Sequence, residues 1–191
     1  MQIPWQDVCY LLHGNERQRA AHRILKSLRV LDILRDYTPV LVGTVPIAID
    51  VAESDLDIIC EAHDLDAFQE LVTQAFGQQK GFRLKRKRVN ALPVVIAVFD
   101  AGFVIEIFGQ PRAVTEQNAY RHMDVQARLL AIGGEKARRE IQRLKRAGLK
   151  TEPAFARYFD IQGDPFEALL EWSKLDEKGL QSLVKNTKHG F

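Results

Sequence analysis

Two aspartates separated by one residue stand at the start of an apolar run. Asp55 and Asp57 lie in the sequence "DLDIIC" (55–60), a pattern that is typical of a β-strand. Since side chains two residues apart on a strand point to the same face, the two carboxylates project together and raise each other's pKa. A divalent cation such as Mg²⁺ or Mn²⁺ relieves that repulsion. The pair therefore indicates a metal site, and two solvated aspartates at an exposed strand end are the alternative.

A glycine turn precedes this strand. The apolar run "PVLVG" (39–43) predicts a short strand that ends at Gly43, and Thr44 follows it directly. Glycine lets the backbone approach a ligand closely, and a neighbouring hydroxyl can bind phosphate oxygens together with backbone N–H groups. Gly43 and Thr44 are therefore candidate nucleotide-binding residues, with an ordinary strand-ending turn as the alternative.

A third carboxylate stands alone in an apolar run further along the chain. Glu106 is the only charged residue in "FVIEIFG" (103–109), and a half-buried carboxylate is costly unless it is paired or bound to a metal. Three carboxylates from two strands are what a two-metal phosphoryl-transfer site needs. The alternatives are that Glu106 points to water or pairs with Arg86 or Arg88.

Five cations occupy six consecutive positions in "RLKRKR" (83–88). If this segment is a strand, Arg86 and Arg88 share a face with Phe82 and Leu84, and the other three cations lie on the opposite face. One face could bind a triphosphate or an RNA backbone. Arg86 and Arg88 are taken as candidate nucleotide-binding residues. The alternative is a solvated edge strand that its charges protect from aggregation.

The elements that must position these residues change character along the chain. Strands are predicted at 39–43, 55–60 and 81–90 and as a hairpin over 93–109; helices are predicted over 16–36, 64–76, 115–134 and 135–150 and from residue 165. Asp64 and Asp164 are the predicted N-caps of two of these helices. The chain therefore divides into a mixed α/β first domain with an N-terminal helix, residues 1–112, and a helical second domain, residues 113–191. The last six residues, 186–191, are expected to be mobile.

The composition limits the class of protein. The 191 residues carry a net charge of +2 and are 46% hydrophobic, so any nucleic-acid or phosphate site must be a local cluster. No run approaches the length of a membrane helix, the first residues lack a signal-peptide pattern, and Cys9 and Cys60 show no metal or redox spacing. We expect a cytoplasmic protein with reduced thiols and no membrane partner.

The glycine turn, the ten-residue spacer, the Asp-Leu-Asp triplet and Glu106 together resemble the signature of the polymerase-beta-type nucleotidyltransferase superfamily, over residues 41–107. More narrowly, the stretches "GTVPIAIDVAESDLDIICE", "QNAYRHM" and "LKTEPAFA…GDPFEALLEW" are similar to a small bacterial family known as domain of unknown function number 4269. The resemblance implies an α/β (α+β) fold, with a small mixed nucleotidyltransferase-like sheet flanked by helices and a C-terminal helical subdomain.

The resemblance also implies roles for individual residues. Asp55 and Asp57 match the metal-binding aspartates, and Glu106 matches the third catalytic carboxylate, all three holding Mg²⁺ or Mn²⁺. Gly43 and Thr44 match the phosphate-facing turn. The implied activity moves a nucleotidyl group from an NTP, with ATP expected, to a hydroxyl acceptor that could be RNA or protein.

The sequence also departs from the pattern of the superfamily. Thr44 replaces the usual serine, the third acid is glutamate rather than aspartate, and the spacer is apolar and acidic, without a cation for a triphosphate. A catalytically silent member that binds nucleotide or RNA through the same cleft is therefore the alternative function. A protein–protein module that binds no small ligand is a third.

Overall fold

In the computed structural model, which describes residues 5–185, the chain forms one mixed sheet and two sets of helices. Five strands form the sheet in the order β1-β2-β5-β4-β3. Their bounds are β1 Val40–Val42, β2 Leu56–Glu61, β3 Lys80–Val89, β4 Leu92–Asp100 and β5 Val104–Gln110. β2 and β5 run parallel, and the other neighbouring pairs are antiparallel.

The register of the sheet sets which side chains share a face. Asp57 lies opposite Glu106, Glu106 opposite Val98, and Val98 opposite Arg83, so these four residues form one row across four strands. Because facing residues in neighbouring strands point the same way, the row lies on a single face of the sheet. We call this side the carboxylate face and the opposite side the core face.

Helices cover the core face. Helix α1 spans Glu16–Ser27 and helix α3 spans Leu65–Phe76, and both contribute buried residues to the core beneath the sheet. Phe68 of α3 lies against Gly109, where an added Cβ would stand 2.2 Å from its ring. Phe76 stacks on Phe99 with ring centroids 5.2 Å apart. This apolar contact fixes α3 on the core face.

Capping residues define where several helices begin. The side chain of Asp64 accepts hydrogen bonds from the backbone of Asp66 and Ala67, both at 3.0 Å, and Asp164 caps its own helix in the same way. The two predicted N-caps are therefore confirmed. The predicted helix over 16–36 is wrong in its second half, since Arg29 adopts a left-handed backbone (φ 52°) and is followed by the short helix α2, Val30–Ile33, and a 3₁₀ helix, Arg35–Tyr37.

A second compact unit consists of residues 47–53 and the chain from Asn118 onward. Its helices are α4 Asn118–Arg146, α5 Thr151–Phe159, α6 Pro165–Trp172 and α7 Glu177–Lys185. Non-helical backbone at Gly134 (φ 59°, ψ −158°) interrupts α4 at the position where the sequence predicts one helix to end and another to begin. Helices α5 and α7 were not predicted.

The remaining residues, up to Pro46 and from Ser54 to Gln117, form the first compact unit. The predicted division into domains at 112/113 stays a prediction, and the predicted mobile segment 186–191 lies outside the described residues. The α/β class, with a mixed sheet, flanking helices and a helical C-terminal part, is confirmed. Across residues 5–185, none of the helices has the length and apolar character needed to cross a membrane.

Candidate active site

The centre of the candidate site is the parallel pair β2 and β5. Asp57 and Glu106 are direct partners in this pair, with Leu56 opposite Ile105 on one side and Ile58 opposite Ile107 on the other. Neighbouring strands lie about 4.8 Å apart, so the two acidic residues project side by side from the carboxylate face. The flanking apolar residues are fully buried on the core face, which fixes the register and hence the position of both acids.

The acidic groups of the site interact electrostatically. Burial, together with repulsion from Asp55 and Glu106, raises the pKa of Asp57 to about 7. Burial and repulsion from Asp55 also raise the pKa of Glu106. Asp55 precedes the first residue of β2 and acts on both of the other carboxyl groups. The structure therefore places all three sequence-predicted acids in one electrostatic neighbourhood.

Because Gly43 has no side chain, there is room beside it for the carboxylate of Asp57. Its backbone has a φ of +89°, which L side chains rarely adopt, and a Cβ added there would stand 2.9 Å from Oδ2 of Asp57. The partner of Asp57 in β1 is Val42, so the glycine follows β1 beside the acid. Glycine is needed here both for the backbone conformation and for the room beside the carboxylate.

Thr44 is held by contacts that sequence reasoning missed. Its hydroxyl donates a hydrogen bond to the hydroxyl of Ser54 at 3.1 Å, which ties the glycine turn to the residue before Asp55. The guanidinium of Arg17 donates to the carbonyl of Ser54 at 2.6 Å and lies over the ring of Phe103, with its carbon 4.4 Å from the ring centroid. Nothing in the local sequence around Arg17 marks it, because it lies 37 residues from its acceptor.

Helix α1 also holds the other side of the turn. The side-chain amide of Gln18 donates to the carbonyl of Val45 at 2.9 Å, and its oxygen accepts from the backbone of Asn15 at 3.0 Å in a capping box. Gln18 is buried, so these hydrogen bonds are shielded from water. The first turn of α1 therefore anchors the loop that carries Gly43 and Thr44.

The donor set fits a hard divalent cation in its chemistry. Carboxylate oxygens are the ligands that Mg²⁺ and Mn²⁺ prefer, and a cation would favour the ionised carboxylate of Asp57, whose pKa is raised by burial and by repulsion from Asp55 and Glu106. Among residues 5–185, however, no group of three His, Cys, Asp or Glu side chains is arranged to hold a metal ion as the side chains stand. The fit rests on the identity of the donors and on the position of Asp57 and Glu106 in the sheet.

The cations of β3 divide between the two faces of the sheet as the sequence predicts. Arg86 pairs with Val95, which faces the core, and its guanidinium bonds Gln69 at 2.8 Å and the carbonyl of Leu65 at 2.9 Å, both in helix α3. Arg88, two residues further, shares that face. These two arginines therefore lie on the face opposite the carboxylates, because a strand presents alternate residues to opposite sides, and their suggested pairing with Glu106 is wrong. Their binding of nucleotide stays a prediction.

The carboxylate face instead carries the other three cations of β3. Arg83, Lys85 and Lys87 alternate with the core-facing residues and are exposed. Lys85 and Lys87 lie near enough to Glu106 to lower its pKa against the stronger effect of burial. An open groove of about 550 Å³ runs beside them, lined by Arg83, Lys85, Ile96 and Val98 among others. The signal was present in the sequence, since Phe82 and Leu84 mark the core-facing positions of the strand.

Family comparison identifies the chain. Residues 23–172 match the model of the family described as domain of unknown function DUF4269, and the chain belongs to this family. No curated protein matches the sequence. The predicted family is thus confirmed.

Solved structures of Cid1 and of the GLD-2/RNP-8 complex are similar in fold to this chain. A structure of Cid1, described by its RNA terminal uridylyl transferase activity, matches with a TM-score of 0.52, 12% identity, and coverage of 86% of this chain and 52% of that one. Cid1 poly(U) polymerase with Mg 3′-dATP bound matches with the same TM-score and coverage at 13% identity.

The GLD-2/RNP-8 complex matches with a TM-score of 0.50 and 14% identity, covering 80% of this chain and 58% of that one. This chain therefore spans between half and three-fifths of the length of these structures. At such identities the similarity shows the fold alone.

Proposed function

We propose that the protein is a metal-dependent nucleotidyltransferase that moves a nucleotidyl group from an NTP to a hydroxyl acceptor. The observation that carries the proposal is the direct pairing of Asp57 with Glu106 on neighbouring strands, with Gly43 opening the space beside Asp57. Two half-buried carboxyl groups side by side destabilise a fold unless a bound cation or another partner compensates for their charge. The fold shared with Cid1, which has RNA terminal uridylyl transferase activity, supports the same class of reaction.

Each residue has a separate role in this proposal. Asp55, Asp57 and Glu106 are the catalytic and metal-binding carboxylates, and Mg²⁺ or Mn²⁺ bound there would stabilise the charge that develops on the transferred phosphate. Glu106 accepts the proton of the acceptor hydroxyl, since burial already raises its pKa. Gly43 and Thr44 bind the phosphates of the nucleotide, which lie against the turn that Ser54 and α1 hold in place.

The partners are proposed from the chemistry of the site and from the relatives. ATP is the expected NTP, and a cytoplasmic location suits that substrate. Cid1 acts on RNA and has been seen with Mg 3′-dATP, which makes RNA one candidate acceptor, with a protein hydroxyl as the other.

Transfer from a radiolabelled NTP tests the proposal. The wild-type protein is incubated with Mg²⁺, each of the four NTPs and a panel of RNA and protein acceptors, and Asp57→Asn is assayed beside it. We expect labelled product from the wild type only. A variant that retained full transfer would show that Asp57 is not part of the reaction.

A second function, nucleotide or RNA binding without catalysis, is favoured by the spacer between Thr44 and Asp55. This segment contains no lysine or arginine, and Ile47, Ile49 and Asp50 within it are buried. Its backbone is held by Arg138 and Gln142, the latter donating to the carbonyl of Ala48 at 3.2 Å. Calorimetric titration of NTPs with and without Mg²⁺ separates the two functions, because a silent member binds NTP without any turnover.

A further inference from the structure

We propose that the exposed cations of β3 on the carboxylate face, Arg83, Lys85 and Lys87, bind the backbone of single-stranded RNA and guide its terminal hydroxyl to Glu106. This inference rests on the proposed function for the reaction that follows, but the binding itself requires no catalysis. We call these three residues the cationic row.

The strand order separates the two substrates. Along the row of facing residues, the sheet presents Val42 and the glycine turn first, then Asp57, then Glu106, then Val98 and finally Arg83. The turn that would hold the nucleotide and the cationic row therefore lie on opposite sides of the carboxylates. Glu106 stands two strands from Arg83, about 10 Å at the usual strand spacing. An acceptor that reaches Glu106 from the side away from the nucleotide must cross the cationic row.

The spacing of the cations suits a chain of phosphates. Residues two apart on an antiparallel strand lie about 6.8 Å from each other, so the cationic row offers three positive charges at regular intervals in one line. A single compact anion could meet only one or two of them. A polymer with one negative charge per unit could meet all three, which is the property of a nucleic-acid strand.

The groove beside the row adds apolar surface. Ile96 and Val98 of β4 line it between the cations and Glu106. Unpaired bases can pack against apolar side chains and against the planar guanidinium of an arginine, whereas the bases of a duplex are stacked inside the helix. The combination of a line of cations with an apolar floor therefore favours a single strand over a duplex and over an acidic protein segment.

The two faces of β3 differ in how their cations are bonded. Arg86, on the core face, is engaged by Gln69, Leu65 and Asp66 of helix α3. No hydrogen bond or ion pair of the described residues involves the side chains of Arg83, Lys85 or Lys87. The same strand thus carries cations with a structural task on one face and cations available to a ligand on the other.

The reaction at the end of the bound strand is a balanced substitution. The terminal hydroxyl oxygen of the RNA forms a bond to the α-phosphorus of the NTP, and the bond from that phosphorus to the bridging oxygen breaks. The hydroxyl proton passes to the carboxylate of Glu106, and pyrophosphate leaves. The cationic row takes no part in forming or breaking bonds, and it acts only by positioning the acceptor.

The test is fluorescence anisotropy of a labelled single-stranded RNA of mixed sequence, titrated with protein at several salt concentrations without NTP or divalent metal. Arg83→Gln and Arg88→Gln form a matched pair, since they remove the same charge from the same strand on opposite faces. Each lost phosphate contact should reduce the slope of log K against log salt by about 0.7. We expect Arg83→Gln to weaken binding severalfold with that change in slope, and Arg88→Gln to leave both unchanged.

A triple variant, Arg83→Gln with Lys85→Gln and Lys87→Gln, should lose nearly all of the salt dependence, with circular dichroism showing that it is folded. The inference is overturned if wild type fails to bind the RNA, if Arg83→Gln and Arg88→Gln bind alike, or if polyglutamate of equal charge competes as well as unlabelled RNA. Two results separate the failure of this proposal from the failure of the proposed function. RNA binding with no transfer by wild type would refute the proposed reaction and leave the site intact, whereas transfer that the triple variant performs equally well would refute the site alone.

Discussion

The two faces of the sheet are built from the same strands and serve different ends. On the core face, Leu56, Ile58, Ile105 and Ile107 are fully buried beneath helices α1 and α3. Asp57 and Glu106 alternate with these residues along the strands and lie on the carboxylate face, and burial raises the pKa of each. The core face stabilises the fold and the carboxylate face costs stability. Packing alone would favour apolar residues at the positions of these acids, so their presence there supports the proposed metal-binding role.

The largest expected effect is the loss of transfer in Asp57→Asn. The change removes a charge and keeps the shape, so we expect transfer to fall by at least about 1,000-fold, or about 4 kcal/mol of transition-state stabilisation. The folded state should persist. Ile58→Asp, the adjacent residue on the core face, should instead prevent folding because it buries an unpaired charge. Transfer assays and circular dichroism of the two variants measure this difference. If both variants lost folding, or both lost transfer alone, the two faces of the sheet would not differ in this way.

The next effect is on stability and its dependence on pH. The pKa of Asp57 is about 7 in the folded protein against 3.8 as its ordinary value, so the folded state holds a proton that the unfolded chain releases. Stability from this group is present below pH 4 and is lost as the pH rises through 7. As the pH rises from 5 to 8 in the absence of metal, the free energy of unfolding of Asp57→Asn should therefore increase by about 3 kcal/mol relative to that of wild type.

Urea unfolding at a series of pH values, with a chelator present, measures this difference. Asp66→Asn is a suitable control, because Asp66 is exposed on helix α3 and its removal should leave the pH profile near that of wild type. An Asp57→Asn profile parallel to that of wild type would show that the carboxyl group is not held in a destabilised state.

Two glycines allow the faces to be compared by the same substitution. Gly109→Ala would drive a Cβ into the ring of Phe68 on the core face, and Gly43→Ala would strain the turn and crowd the carboxylate of Asp57. Each should reduce the free energy of unfolding by about 1–3 kcal/mol. Only Gly43→Ala should also weaken the binding of Mn²⁺ and NTP, measured by calorimetry on the folded fraction. Equal losses of ligand affinity would mean that the turn has no special relation to the site.

The smallest expected effect concerns the hydroxyl of Thr44. Thr44→Val keeps the shape and loses the hydrogen bond to Ser54, so we expect NTP affinity to fall by about threefold to tenfold, near 1 kcal/mol. Thr44→Ser keeps the hydroxyl and should retain wild-type affinity. Competition titration with a fluorescent nucleotide compares the two variants, and weakening in both would assign the effect to the methyl group.

The acids of the site could be predicted from sequence because they violate a local pattern. Asp57 and Glu106 interrupt apolar strands, and period-two alternation places each on the face away from its buried neighbours. The alternation of the cations of β3 could also be predicted, but Arg86 and Arg88 were chosen as candidate nucleotide-binding residues although Phe82 and Leu84 mark their face as the core-facing one. The pairing of β2 with β5 joins residues nearly fifty positions apart, and only the folded sheet shows it.

Some parts of the fold could not be read from local signals. The left-handed backbone at Arg29 ends helix α1 early without a glycine or proline to mark it. The hydrogen bonds of Arg17 and Gln18 to the glycine turn and the segment before β2 connect distant parts of the chain, so no spacing rule identifies them. By contrast, the capping aspartates at 64 and 164 were predicted correctly, since a cap depends on a few adjacent residues.

The most direct test of the central claim is calorimetric titration of Mn²⁺ into wild type and two matched variants. Glu106→Gln and Glu61→Gln make the same chemical change in neighbouring strands, and Glu61 lies four residues beyond Asp57 in β2, paired with His63 at 2.9 Å. We expect wild type and Glu61→Gln to bind Mn²⁺ alike and Glu106→Gln to bind at least about tenfold more weakly. Equal affinity in all three proteins would contradict this expectation, because Glu106 would then have no part in a metal site.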